Sequence, residues 1–180
     1  MKSCPELAGL ATPLLASSVL TPAGIEAADT PDSNEITKLL KDARAEVVEL
    51  KYDATEVETL TRLNLTWNTY AARLGMVKEH INHTGKLLAE LKEAAIDGSP
   101  WQRMAIRCVE PLLKKLAANM EATIEYLNQN QARSHLPEFK AYIRANYELA
   151  VDLEALIRDL LIHGATKPTF ERLGGTPETT

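Results

Sequence analysis

The sequence predicts an all-α protein, an antiparallel up-down helical bundle, and three observations predict it. Apolar residues recur at alternating three- and four-residue spacings through most of the chain from Ile36 to Leu160, which draws one apolar stripe along a helix. Aromatic residues make up only 5% of the chain while Ala, Leu, Glu and Lys abound, a balance that favours helices over sheets. Gly and Pro, the strongest local punctuators, are absent from Ser33 to Leu74 and then cluster at Gly98–Pro100 and beyond His163.

The first segment stands apart. Leu7 to Ile25 contains no charged residue, Lys2 precedes it, and the small residues Ala23, Ala27 and Ala28 follow. This is the pattern of a secretory signal peptide, so residues 1–28 are expected to be a cleaved leader and the protein to be periplasmic or extracellular. Glu6, Pro13 and Pro22 depart from the pattern, and an apolar leader on a cytoplasmic protein is the alternative. Nothing later in the chain is apolar enough to span a bilayer. The bundle domain is expected over 29–165 and a flexible tail over 166–180.

Asp32 and Glu35 have capping-box spacing and are expected to start the first helix. The stripe then runs Ile36, Leu40, Ala43, Val47, Leu50, Ala54, Val57. A second runs Leu60, Leu63, Trp67, Tyr70, Leu74, Val77, Ile81, Thr84, Leu88, Leu91, Ala95. The two meet out of step, because Val57 to Leu60 is three residues where the repeat wants four. Either the chain turns back around Asp53–Glu58, where Asp53 and Glu56 offer a second cap, or one helix runs on with a local distortion. The turn is preferred: an unbroken helix from Ser33 to Ile96 would be about 96 Å long, more than the later helices can cover. The bundle therefore has four helices, or three with a very long first one.

Ser99, Pro100 and Gln102 supply a cap, a first-turn proline and a capping-box glutamine for the next helix. Its stripe is Ile106, Val109, Leu113, Leu116, Met120, Thr123, Leu127, and Pro111 is expected to kink or split it. After a polar connection at Asn128–Ser134, Pro137 opens a last helix with the stripe Phe139, Tyr142, Asn146, Leu149, Leu153, Leu156, Leu160, His163. Gly164 is expected to close it. Short connections make sequential helices antiparallel.

Net charge is −5, from 25 acids against 20 bases. A nucleic-acid partner normally leaves a basic stripe, so none is expected. With Cys4 in the leader, Cys108 stands alone and a disulfide framework is not expected. The sequence has no phosphate loop, no His-Glu-x-x-His pair and no nucleophile elbow. The residues three before each histidine are Val77, His80, Ala132 and Leu160, none of them a carboxylate, which excludes a di-iron bundle.

Two constellations are left. His80 and His83 share one helical turn and form a candidate metal pair, against the simpler reading of a solvated face. His163 falls on the predicted stripe, where an antiparallel neighbour would bring Trp101, Met104 and Cys108. The grouping His163, Met104 and Cys108 is a candidate for haem or metal ligation, against a histidine that complements the helix dipole. Asn146, alone among apolar residues, is read as fixing register, so Asn146→Leu is expected to raise the melting temperature.

The stretch Leu39–Leu161, with its Leu65-Thr66-Trp67, Lys78-Glu79-His80-Ile81-Asn82, Ser99-Pro100-Trp101-Gln102 and Arg144-Ala145-Asn146-Tyr147-Glu148-Leu149, resembles uncharacterised, predicted-exported helical proteins of soil bacteria. The resemblance implies export and no activity, cofactor or site residue. The expected function is a non-enzymatic structural or protein-interaction module of the cell envelope, binding itself or another envelope protein. The alternative is a bundle that binds a cofactor or small ligand near His163. No cofactor is assigned.

Overall fold

The computed structural model describes residues 30–63, 65–131 and 136–172. The expected leader, residues 1–28, and the tail beyond Arg172 lie outside them. Four helices follow in order: α1 (Asn34–Leu60), α2 (Trp67–Ala94), α3 (Pro100–Gln129) and α4 (Pro137–Arg172), with a short 3-10 turn, Ala95–Asp97, before α3. Each helix packs on the next and α4 returns to α1, which closes a four-helix up-down bundle. No helix among the described residues is long and apolar enough to cross a membrane.

The cap of α1 is Ser33, whose hydroxyl accepts from the Ile36 N–H at 3.4 Å. Asp32, expected in that role, instead accepts the indole N–H of Trp101 at 2.6 Å, because a mostly buried Trp needs a partner for its one polar atom. Gln102 ties the starts of α1 and α3 together. Its Oε1 accepts from the Ser33 and Ser99 N–H groups, and its Nε2 donates to Ser33 O and Thr37 Oγ1. All of its polar capacity is satisfied while the residue is fully buried.

The turn between α1 and α2 does not fall at Asp53–Glu58. The first stripe continues past Val57 to Thr61, which is also buried, and α1 ends only at Leu60. The second stripe is fully buried from Tyr70, with Trp67 packed partly buried against the core, and Leu63, expected on it, is 55% exposed. Tyr70 fixes the turn: its hydroxyl donates to Leu60 O at 3.1 Å, satisfying a carbonyl that the end of α1 leaves open. Its ring meets Phe139 edge-on at 5.1 Å, and Tyr126 stacks on Phe139 at 6.2 Å.

Pro111 neither ends nor divides α3, which is helical from Pro100 to Gln129. The proline is exposed, and so is Arg107, whose carbonyl loses its helical donor, so water can replace the missing bond. Gly164 does not close α4. It is a buried mid-helix residue, and a Cβ added there would run into the Trp101 ring. Its small size, not its conformational freedom, is what the bundle uses.

Candidate functional site

A concave surface lies between α2 and α3, the most sparingly packed pair of sequential helices. Ile81, Leu88, Leu113 and Ala117 form an apolar floor, with Gly85 and Ala89 giving it depth, in a groove of about 360 Å³. A Cβ built on Gly85 would meet nothing within 4 Å. A second hollow of about 280 Å³, lined by Ala95, Arg103, Ile106 and Arg107, continues the groove towards the start of α3. The two share Lys92 and Glu110. These two residues bridge the groove at 2.8 Å, and Lys114 holds the same carboxylate oxygen at 2.8 Å. The hydrogen bonds from Lys114 and then Lys92 lower the Glu110 pKa to about 2.

A second cluster joins α1 to α2. His80 Nδ1 lies 2.6 Å from Glu46 Oε1, and its Nε2 lies 3.3 Å from Asp53 Oδ2. His83 Nδ1 lies 3.2 Å from the same Glu46 oxygen. Asp53 is buried and its Oδ2 has no hydrogen bond of good geometry. A neutral imidazole can donate to only one of the two carboxylates. The Thr84 hydroxyl donates to the His80 backbone carbonyl at 2.8 Å, and the two imidazoles clasp α2 to α1 through Glu46.

The sequence-predicted residues fall as follows. His80 and His83 do share a helical turn, but both rings are engaged by Glu46. Among the described residues no group of three or more His, Cys, Asp or Glu side chains could hold a metal ion. His163 is exposed, which corrects its placement on the core stripe. The residue beneath Trp101 is Gly164, and one step along a helix turns a side chain by about 100°. Met104 is also exposed and Cys108 is half-buried. The ends of α3 and α4 do meet, as predicted, but through packing of Trp101 on Gly164.

The sequence did not single out Glu46 or Glu154, a carboxylate on the buried face of α4 with 7% of its side chain exposed, and Asp53 was expected only as a cap. Their signal was position: Glu46 and Asp53 each adjoin a stripe residue of α1, seven residues apart, two helical turns on one side. Asn146 was legible but is not alone. Its Nδ2 donates to Thr123 Oγ1 and its Oδ1 accepts from Asn119 Nδ2, both at 2.8 Å.

Comparison of the chain with family models, curated proteins and solved structures finds no match.

Proposed function

We propose that this protein is an exported, non-enzymatic interaction module whose α2–α3 groove receives an amphipathic helix from another protein of the cell envelope. The observation that carries the reading is the groove itself. An up-down bundle ordinarily closes each neighbouring pair of helices, yet here small residues hold an apolar trench open beside a charged rim. An incoming helix supplies apolar side chains at three- and four-residue spacing, which such a trench accepts. The uncharged run Leu7–Ile25 supports export.

A photo-crosslinking residue at Ala89, on the groove, is expected to trap one protein of discrete mass in the native host. The same residue at Lys38 on α1 is expected to trap none. Gly85→Trp, which fills the groove, should abolish the product while leaving the helical circular dichroism unchanged. Equal labelling from both positions, or a product indifferent to Gly85→Trp, contradicts the proposal. Export is tested by the mature N-terminus: protein recovered from the host beginning near residue 28 supports it, and an intact Met1 does not.

A further inference from the structure

On the opposite side of the bundle, three cations converge on one buried carboxylate. Glu154 Oε2 lies 3.2 Å from Lys51 Nζ and 3.4 Å from an Arg158 terminal nitrogen, and its Oε1 lies 3.8 Å from Arg44 Nε. One negative charge cannot neutralise three positive ones, and the distribution is uneven. Arg158 has a second acceptor in Asp159 at 3.1 Å. Arg44 has none: its Nε is buried without a hydrogen bond, although the side chain as a whole is 44% exposed. In a protein of net charge −5, this is a local surplus of positive charge.

The surplus borders an apolar hollow. Between α1 and α4 runs a groove of about 370 Å³ lined by Lys41, Arg44, Ala45, Val48, Glu49 and Leu161. Val48 is 38% exposed and Leu161 is half-buried, so both offer apolar surface to solvent. Glu49 is the one acid in the lining. Small-molecule sites combine a concave apolar wall with a few polar groups that fix orientation, and begin at about 300 Å³.

We propose that the α1–α4 groove binds a single-chain anionic amphiphile, a medium-chain carboxylate, with its head on Arg44 and Lys41 and its chain along Ala45, Val48 and Leu161. Glu154 reaches only the Arg44 Nε, and at 3.8 Å; the head supplies a hydrogen-bond acceptor for the terminal guanidinium nitrogens. Guanidinium suits a carboxylate because its planar donors match both oxygens. This site is separate from the α2–α3 groove, so either proposal can fail without the other.

The test is calorimetric titration of the full bundle with dodecanoate below its micelle concentration. One saturable site is expected. Arg44→Gln should weaken binding roughly tenfold, the loss of one charge-assisted contact, with Leu161→Gln weakening it as well. Both substitutions are at partly exposed positions, and unchanged helical circular dichroism confirms their folding. Dodecan-1-ol, which keeps the chain and loses the charge, should bind at least as weakly as dodecanoate binds Arg44→Gln. Inorganic phosphate should not compete at equal concentration. Absence of binding, equal binding of the alcohol, equal competition by phosphate, or indifference to Arg44→Gln each overturns the proposal. So does a face that responds only to vesicles of anionic lipid and not to free dodecanoate.

Discussion

The indole of Trp101 lies so close over Gly164 that no side chain fits between α3 and α4 at that point. The same ring reaches Asp32 through its N–H. One residue thus joins the start of α1, the start of α3 and the late turns of α4.

That contact sets the sign of a glycine substitution. In an ordinary helix interior Gly→Ala stabilises by about 0.5–1 kcal/mol. Gly85→Ala, with open space around it, is expected to behave so. Gly164→Ala is expected to destabilise by about 1–3 kcal/mol, because the Trp101 ring must move. Urea denaturation of the two variants beside the parent distinguishes them; stabilisation by both would remove the packing role of Trp101.

Asn146 invites the opposite correction. As a lone seam asparagine it would cost stability, and Asn146→Leu would raise the melting temperature. The network reverses that expectation. Asn146 bonds both Thr123 and Asn119, and Asn119 continues to Tyr142 O at 3.1 Å. Leucine breaks two of these bonds inside the α3–α4 seam, so Asn146→Leu is expected to lower stability by about 1–2 kcal/mol. A thermal melt that rises would restore the register reading.

Glu110 predicts an acid dependence. Its carboxyl pKa is lowered from 4.5 to about 2 by Lys114 and Lys92, so the folded state holds the ionised form more tightly than the unfolded chain does. The resulting stability is present above pH 4.5 and is lost as pH falls towards 2. The difference between parent and Glu110→Gln should be constant from pH 6 to 8 and shrink over about pH 4.5 to 2. Because the bridge lies at a solvated rim, added salt should shrink it too. A difference that ignores pH in the acid range would refute the assignment.

Tyr70 predicts the mirror case at high pH. Burial raises its phenol pKa above 10.0, so stability is complete below pH 10 and falls as pH rises through the shifted value. Tyr70→Phe removes the bond to Leu60 O and is expected to cost about 1 kcal/mol at neutral pH, while losing this alkaline component. Denaturation midpoints at neutral and alkaline pH give both numbers. The idea is wrong if parent and variant decline together in alkali by the same amount.

Much of the fold could be read from the chain alone. Stripes such as Leu74–Val77–Ile81–Leu88–Leu91 and Leu113–Leu116–Met120–Leu127 are buried as predicted, because apolar spacing decides which face a helix must hide. Ser99–Pro100–Gln102 marked a start that the structure keeps, since caps depend on residues within one turn. From the sequence, then, came the helices, their antiparallel order and most of the core. Tertiary contacts decided the rest. The turn waited for Tyr70 to reach Leu60; Asp53 became the partner of His80 and not a cap; Gly164 became a bed for Trp101 and not a stop. His163 missed the core because the second buried position of each α4 heptad lies four residues after the first, not three. Both spacings keep a residue on one face of a helix, and packing against the neighbouring helices selects Ile143, Ala150, Ile157 and Gly164, each seven residues from the last. Periodicity is a property of one helix, whereas the identity of what packs across from it belongs to the assembled bundle.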